Sequence, residues 1–364
     1  MHTGIRHVLA LLSFFSFGLL VIARAEGRTW HIRSDGTGDA PTIQAGIDSS
    51  STTDSVLVGA GLYDETLDMR GKPLVLVGES GAEATVVDAG QSGRVLAMDG
   101  GVVEGLTLRN GSCSCNGAGV LVAPPGPAVI RSTIIEHNTA QDGALNSGAG
   151  GGVFIDPAAA DVIVESSIVQ NNFASVIGGG ICDNGSLSTI RSNIVRNNTS
   201  VLASGGILTM EGRVTENLIL GNVAGTGASG IQSEGPTEIR NNTIVRNIGP
   251  IGALVIGPLV FSHNIVAENE GTGIFFFGSN TPDCNDIWFN DVPDGGIWPG
   301  RENGNFAENP LFCRPEYGIF TVSYSSPCLP GYNPTCGLVG AFGAACSVPA
   351  VRPTTWGGLK VLYR

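Results

Sequence analysis

Five acidic side chains are the strongest candidates for chemistry in this sequence. Four of them follow successive short apolar runs at similar distances, and a fifth stands in a separate loop: Asp156, Asp183, Glu211, Glu234 and, in the loop, Asp142. Carboxylates in register could hold Ca²⁺, which needs several oxygen ligands converging on one point. A carboxylate pair could also act as general acid and base on a sugar polymer. These residues are therefore candidates for catalysis, and the four in register are also candidates for metal binding.

A solvated acidic stripe is the simpler interpretation of the same residues. Asp183 and Glu211 do not share the strand parity of Asp156, so the side chains are not expected on one face. Exposed acidic side chains are also common on protein surfaces. We therefore expect no resident cofactor, and Ca²⁺ is the cation that the pattern would fit.

Short strands in repeated coils are the elements that would position these acids. A glycine opens an apolar run again and again, at spacings that shorten from 33 to 21 residues: Gly119, Gly152, Gly180, Gly206, Gly230, Gly252 and Gly273. Between them, an aliphatic pair precedes an asparagine by three positions: Asn138, Asn172, Asn198, Asn222 and Asn269. The stretch ending at Asn247 is one residue short of this pattern. Repeats of this length without helical periodicity are typical of a β-coil solenoid.

Each position of the repeat predicts a structural role. The first residue of each second run should form an inward apolar column: Ile130, Val164, Ile190, Val214, Ile239 and Phe261. Its neighbour should face outward, and Glu165 then falls between Arg131 and Arg191, which favours cross-strand ion pairs over catalysis. The repeated asparagines should stand at the turns, because asparagine tolerates left-handed backbone angles and its amide can bond to adjacent coils.

Insertions are confined to one edge of the predicted solenoid. Coil length varies mainly between each asparagine and the following glycine, in the loops 111–118, 139–151, 173–179, 199–205 and 223–229. Such an edge could form a binding groove. Its loops are rich in small residues, with Asp142 as their one carboxylate and no His, Lys or Arg. This composition counts against catalysis there, which needs positioned acids and bases.

The N-terminus and the charge indicate an exported protein. Arg6 and His7 precede an apolar stretch and the motif Ala23-Arg24-Ala25, so residues 1–25 are predicted to be a cleavable signal peptide. That stretch is too short for a membrane span. The net charge of −13 argues against nucleic acid and anionic membranes as partners. We expect secretion or display at the cell surface.

The eight cysteines are expected to form disulfides, as is usual in exported proteins. Four of them, Cys313, Cys328, Cys336 and Cys346, lie in a predicted C-terminal cap, residues 313–347, where two disulfides of open connectivity are expected. The motif Cys113-Ser114-Cys115 lacks further ligands for a metal site, so oxidised or buried thiols are favoured.

The two ends of the repeat region resemble a known family. Residues 42–90, with a predicted capping helix at 42–50, are similar to the opening of pectin-lyase-like right-handed parallel β-helix proteins. The motifs Asn309-Pro310-Leu311-Phe312, Ser326-Pro327-Cys328 and Gly340-Ala341-Phe342-Gly343 resemble the closing segment of exported bacterial β-helix repeat proteins. The resemblance implies an all-β, right-handed parallel β-helix of about ten coils over residues 26–312, closed by the helix and by the disulfide-bearing cap.

The resemblance does not supply an activity. The motifs of related pectate lyases, polygalacturonases and pectin esterases do not occur in this chain, and fold alone does not license a catalytic residue. The favoured function is a non-catalytic module that binds carbohydrate or envelope material. The alternatives are a polysaccharide lyase or glycoside hydrolase acting on an acidic polymer, and a purely structural surface protein.

Residues 348–364 have no place in the repeats. They form a proline-containing linker and a tail, 353–364, with an aromatic-aliphatic run that ends in basic residues. The tail resembles short C-terminal segments that sort exported bacterial proteins or attach them to the envelope. Sorting machinery is thus one expected partner, and a frayed terminus is the alternative.

Overall fold

The computed structural model describes residues 27–141, 147–185, 187–257, 260–277, 281–296 and 301–347. The predicted signal peptide, the candidate Asp142 and the tail at 348–364 lie outside these ranges. Within them, no helix is both long and apolar enough to span a bilayer.

Three parallel sheets of ten strands each form the walls of a rod. Sheet 1 contains Thr29–Ile32, Ser55–Val58, Val75–Gly78, Gly101–Glu104, Ala128–Arg131, Val162–Glu165, Ser188–Arg191, Gly212–Thr215, Thr237–Arg240 and Val260–Ser262. Sheet 2 contains Gly61–Asp64, Thr85–Asp88, Thr107–Arg109, Ile134–Glu136, Ile168–Gln170, Ile194–Arg196, Leu218–Leu220, Thr243–Val245, Ile265–Ala267 and Asp286–Trp288. Sheet 3 contains Leu67–Asp68, Leu96–Met98, Val120–Val122, Val153–Ile155, Ile181–Asp183, Ile207–Thr209, Ala228–Ser233, Ile251–Ile256, Thr272–Phe277 and Val292–Gly296.

Shorter elements complete the molecule. Sheet 4, on the insertion edge, contains Ser112–Cys113, Thr139–Ala140, Phe173–Ala174, Thr199–Ser200 and Val223–Ala224. Sheet 5, near the C-terminus, contains Phe312–Arg314, Ile319–Ser323 and Ala344–Cys346. The helix α1 spans Ile43–Ser49, and two 3₁₀ turns span Glu302–Gly304 and Pro315–Tyr317. The predicted right-handed parallel β-helix is confirmed, with about 12 turns in place of the ten expected.

The inward column of sheet 1 is the one predicted from the sequence. Ile130, Val164 and Ile190 stack in register and continue to Phe261, and each of them is at most 1% exposed. The Phe261 ring meets Phe276 of sheet 3 edge to face, with ring centroids 5.5 Å apart. Burial of these stacked aliphatic and aromatic side chains supplies the main driving force for folding.

The asparagine ladder is continuous between sheets 2 and 4. It runs through Asn138, Asn172, Asn198, Asn222, Asn247, Asn269 and Asn290. The Asn222 Oδ1 accepts from both the backbone N–H and the Nδ2 of Asn198, each at 3.0 Å, while its own Nδ2 donates to the Val195 carbonyl at 2.9 Å. The ladder therefore satisfies buried polar groups at this corner of successive coils, as predicted.

Two details of the predicted ladder are wrong. Asn247 is a full member, because Thr243 pairs with Leu218 and takes the place of the first aliphatic residue. The left-handed backbone angle also falls on the residue before each asparagine, as at Asn197 (φ 54°), and not on the asparagine itself. The chain turns one residue early, so the asparagine N–H stays aligned with the next rung.

A second ladder at the corner between sheets 1 and 2 was not predicted. It runs through Asn193, Asn217, Asn242, Asn264, Asn285 and Asn305. Its signal in the sequence is an asparagine two positions before the buried aliphatic residue of each sheet 2 strand. The glycines that open the runs of sheet 3 leave room for the first ladder: a Cβ on Gly206 would lie 2.4 Å from the Gly230 carbonyl oxygen and 3.1 Å from Asn222 Nδ2.

The N-terminal helix closes the first coil as expected. Thr42 caps it by accepting from Ala45 N–H at 3.1 Å, and the Glu65 carboxylate accepts the Ile43 and Gln44 N–H groups at 2.9 Å. Ile47, fully buried, faces the core. Polar caps thus satisfy the free N–H groups while the apolar side covers the open end.

The closing segment lies along the flank of the rod. Gly340 N–H donates to the His263 carbonyl at 2.7 Å, and Ala341 N–H donates to Thr243 Oγ1 at 3.0 Å, so the segment bridges several coils of sheet 2. One expected disulfide, Cys313–Cys346, lies within the segment. The prediction that both would do so is wrong, since the second joins Cys336 to Cys284 of the repeats and leaves Cys328 free and buried. The segment packs beside Cys284 instead of folding only on itself.

Loss of one ladder rung should destabilise the rod strongly. The substitution Asn222→Ala leaves two buried donors of Asn198 without an acceptor, and we expect a loss of about 3 kcal/mol in the free energy of unfolding. Thr215→Ala, a half-buried outward position in the same coil, should cost less than about 1 kcal/mol. Urea unfolding followed by circular dichroism measures both, and equal losses would show that the ladder adds nothing beyond strand propensity.

Candidate functional site

The structure does not bring the predicted acids together. Asp183 lies inside the rod, fully buried, where its carboxylate accepts from the Ser188 and Thr209 hydroxyls. The Asp156 Oδ1 accepts from Ala158 N–H at 2.9 Å and so closes a turn. These two acids therefore have local structural partners in different environments.

The other acids are equally dispersed. Glu234, which is exposed, accepts from Gln232 Nε2 at 2.5 Å. The register of sheet 3 places Glu234 three coils from Asp156, a separation of roughly 14 Å at one strand spacing per coil. Glu211 falls one residue further along its coil than either. In the part of the chain that the structure describes, no three His, Cys, Asp or Glu side chains are grouped to hold a metal ion.

Charges on the outer face of sheet 1 pair across strands, as the sequence indicated. Arg191 contacts Glu165 at 2.5 Å, while Arg131 turns to Glu104 at 2.7 Å and does not share Glu165. Both ion pairs are partly exposed and contribute little to stability. Each of these four charged residues is therefore paired, and none of them is a candidate acid or base for catalysis.

The insertion edge is closed by its own loops. Loop residues Ala149 and Ile177 pack on Phe154, Cys182 and Leu208, the outward side chains of sheet 3, to form a small apolar cluster. Burial raises the pKa of the Cys182 thiol far above its usual range. The predicted stacking of insertions on one edge is confirmed, but the loops cover sheet 3 and do not leave an open groove at this cluster.

A cleft of about 550 Å³ lies between the last turn of the rod and the closing segment. Its volume is in the range of small-molecule sites. Its walls combine aromatic, amide and carboxylate side chains, namely those of Phe306, Tyr332, Asn305, Asn309, Asn333 and Glu308, with Leu311, Ser325 and Pro327. Sequence reasoning missed this site because its residues come from two segments that the repeat pattern does not connect.

The polar groups of the cleft are partly engaged by the protein. Asn309 Oδ1 accepts from Leu311 N–H at 2.9 Å, and Asn333 Oδ1 accepts from Cys336 N–H at 3.4 Å. Their amide nitrogens make no hydrogen bond to the described residues and remain donors for a ligand. Tyr332, 61% exposed, offers an aromatic face. The cleft can therefore receive a molecule with an apolar face and several hydroxyl acceptors.

A buried acid links the cleft wall to the rod. Asp286 is fully buried; its Oδ1 accepts from Glu308 N–H at 3.0 Å, and its Oδ2 lies 3.4 Å from Cys328 Sγ. Burial raises the pKa of the Asp286 carboxyl well above its usual range, and burial likewise raises the pKa of the Cys328 thiol. The buried carboxyl thus acts as a structural hydrogen-bonding group between coil and closing segment.

The fold has solved relatives, although no protein-family model and no curated protein matches the sequence. Pectate lyase Pel9A superposes with a TM-score of 0.60 at 14% identity, over 88% of this chain and 97% of that chain. The A-module of mannuronan C-5 epimerase AlgE6 from Azotobacter vinelandii has 14% identity and a TM-score of 0.35, with 74% and 94% coverage. Pectin methylesterase from Aspergillus niger has 10% identity and a TM-score of 0.30, with 92% and 96% coverage. The similarity to Pel9A shows that the chain shares the parallel β-helix fold of that structure; the two lower scores carry no argument.

Asp286 should make the stability of the protein depend on pH. The unfolded chain ionises this carboxyl near its ordinary pKa of 3.8, whereas the folded chain resists ionisation. Its contribution is therefore fully present below pH 3.8 and is lost as the pH rises toward the folded pKa. The variant Asp286→Asn should exceed the wild type by about 1–3 kcal/mol in unfolding free energy at pH 8.

The difference in unfolding free energy between Asp286→Asn and the wild type should shrink as the pH falls toward 4, which is near the unfolded pKa of an aspartate. Chemical denaturation at several pH values measures it, with the half-buried neighbour Asp283→Asn as the control. A gain that does not change with pH would contradict the role assigned to the buried carboxyl.

Proposed function

We propose that the protein is an exported, non-catalytic β-helix module that binds carbohydrate, with the cleft beside the closing segment as its binding site. The observation that carries the proposal is the lining of this cleft. An exposed tyrosine can pack against the apolar face of a sugar ring, and two amides with free donors can bind its hydroxyl groups. Similarity to the fold of a pectate lyase supports carbohydrate as the ligand class.

The same lining supports binding without turnover. Hydrolysis of a glycosidic bond takes two carboxyl groups on either side of the bond. Glu308 is the one carboxylate among the residues that line the cleft. Asp286, on the far side of the Glu308 backbone, is buried and engaged by Cys328. Neither Ca²⁺ nor another cofactor enters this proposal.

Charge favours an uncharged glycan over a polyuronate. The cleft lining contains Glu308 and no Lys, Arg or His, and the chain carries a net charge of −13. A polymer with one carboxylate per sugar would meet like charge, which weakens encounter and binding. Glycans without carboxylates avoid this repulsion.

Two alternatives have less support. A polysaccharide lyase or hydrolase acting on an acidic polymer would need Asp156, Asp183, Glu211 or Glu234 to cooperate, and these residues lie in separate environments. A purely structural surface protein would leave the cleft without a role. Disulfides and the absence of a spanning helix in the described residues are compatible with secretion or surface display, and the tail at 348–364 is proposed to engage sorting machinery.

Removal of the exposed ring should weaken glycan binding while leaving the fold intact. In affinity electrophoresis against neutral polysaccharides and polyuronates, we expect retardation by a neutral glycan. Tyr332→Ala should weaken binding at least about tenfold, the scale of one lost aromatic contact. Tyr317→Ala, which removes an exposed tyrosine outside the cleft lining, is the control.

The same samples test catalysis. They are assayed, with and without Ca²⁺, for unsaturated and reducing ends. Turnover that Asp156→Ala or Glu234→Ala abolishes would replace the binding proposal by the enzyme alternative. Absence of retardation by every glycan, together with absence of turnover, would favour the structural alternative.

A further inference from the structure

The disulfide Cys113–Cys115 differs from the other two in ring size, and it is more exposed than Cys284–Cys336. Its cysteines are separated by 2 positions in the sequence, against 52 and 33 for the others. Both sulfur-bearing residues are half-buried, and Ser114 between them is exposed. Cys284 and Cys336, by contrast, are each only 7% exposed. Cys113–Cys115 is therefore partly open to solvent, as is Cys313–Cys346, whose two cysteines are also half-buried.

The fold does not depend on this disulfide. A cross-link stabilises mainly by restricting the unfolded chain, and the effect falls with the length of the closed loop. Here the loop contains a single intervening residue. The strand Ser112–Cys113 is already fixed by its pairing with Thr139–Ala140 and by the bond from Ser112 N–H to the Gly93 carbonyl at 2.8 Å. The bond thus has a role other than holding the coil.

A positive charge binds the segment that directly follows the pair. The Arg94 guanidinium donates from Nε to the Gly117 carbonyl and from a terminal nitrogen to the Asn116 carbonyl, both at 2.9 Å. These are the two residues that follow Cys115. The guanidinium is held by carbonyl groups at these two contacts, and the nearby Asp68 carboxylate offsets part of its charge. A neighbouring cation stabilises a thiolate and so favours its release as a leaving group.

We propose that Cys113–Cys115 is a thiol–disulfide exchange site that accepts two electrons from a dithiol. A thiolate of the dithiol attacks one sulfur of the pair, the S–S bond breaks, and the other sulfur leaves as a thiolate beside Arg94. The second thiol of the reductant then attacks the mixed disulfide. The reductant becomes a disulfide, and its two protons pass to Cys113 and Cys115, which are left as thiols.

The remaining cysteines do not compete for this reaction. Cys182 and Cys328 are fully buried free thiols, and burial keeps both in the unreactive thiol form. Cys284–Cys336 and Cys313–Cys346 hold the closing segment and close much longer loops. Loop length therefore distinguishes Cys113–Cys115, at the N-terminal edge strand of sheet 4, as the pair expected to exchange most readily.

Redox titration of the purified full-length chain tests the proposal. The protein is equilibrated in mixtures of reduced and oxidised dithiothreitol, quenched with acid and alkylated, and each cysteine peptide is quantified by mass spectrometry. We expect Cys113 and Cys115 to be half reduced at a dithiol-to-disulfide ratio at least about tenfold lower than either other pair, a spacing of about 30 mV. Equal resistance of all three pairs, or unpaired Cys113 and Cys115 in the oxidised protein, would overturn it.

Two variants test whether Cys113–Cys115 is a specific site of thiol–disulfide exchange or only an exposed disulfide. Arg94→Gln should raise the ratio needed for half reduction and slow the reaction several-fold, whereas Arg109→Gln, which removes an arginine paired with Asp88, should change neither. Cys113→Ser leaves a thiol at Cys115 that should form a mixed disulfide with oxidised glutathione, while Cys182 in the same molecule stays unmodified. A Cys115 thiol as inert as Cys182 counts against the site.

A final comparison identifies the source of the electrons. Reduced, unfolded lysozyme serves as a protein dithiol and dihydrolipoic acid as a small one, each mixed with the oxidised wild-type chain. Oxidation of either, with stoichiometric appearance of Cys113 and Cys115 thiols, supports exchange and shows which class of dithiol is used. Failure of both to react, where dithiothreitol also fails, contradicts the proposal.

Discussion

Hydrogen bonding at the corners of the coil is the constraint on which the rest of the structure depends. A strand that turns by a sharp angle leaves backbone groups that have no partner in either sheet, and buried groups of this kind are costly. Two stacks of asparagine side chains satisfy them here, one at each of two corners. Each amide accepts from one neighbouring coil and donates to it and to the next, so the coils must repeat at one spacing and in one register.

That register decides where function can be placed. Positions inside the rod are taken by stacked apolar side chains, and even Asp183 finds its partners there among hydroxyl groups. Outward positions on the flat faces pair with their equivalents in adjacent coils. Groups with unused hydrogen-bonding capacity then collect where the repeat is interrupted, at the insertions and at the closing segment. The cleft and the short-loop disulfide both lie in such interruptions.

The repeat pattern predicted the fold well because each coil repeats the same inward apolar positions and the same turn residues. The inward column from Ile130 to Phe261 and the edge that carries the insertions followed from periodicity and residue type, whereas the helix at the N-terminus was expected from the family resemblance. The second ladder was overlooked because its asparagines stand next to polar residues and look like ordinary loop positions. Thr243 concealed the membership of Asn247 for a similar reason, since this buried threonine takes the place of an aliphatic residue.

The candidate site could not be predicted in the same way. Asn309 and Tyr332 meet only because the closing segment folds back along sheet 2, and no periodicity connects the two stretches. The pairing of Cys284 with Cys336 could not be predicted for the same reason, because it also depends on how the closing segment folds back. The acids in register gave a misleading signal, because a similar offset in the sequence does not ensure the same side of a strand, as Asp156 and Asp183 show.

The way in which the closing segment lies across the flank also limits how the number of coils can change in evolution. From the first insertion loop, at 111–118, to Asn198, each coil touches only the coils before and after it. Duplication or loss of one such coil would therefore preserve both asparagine ladders. From Leu218 to Asp286, the segment fastens several coils at once through Thr243, His263 and Cys284. An added coil there would shift every one of these attachment points by a strand spacing. Length variation among descendants of this chain is therefore expected in the first half of the rod, with the fastened half conserved as a block.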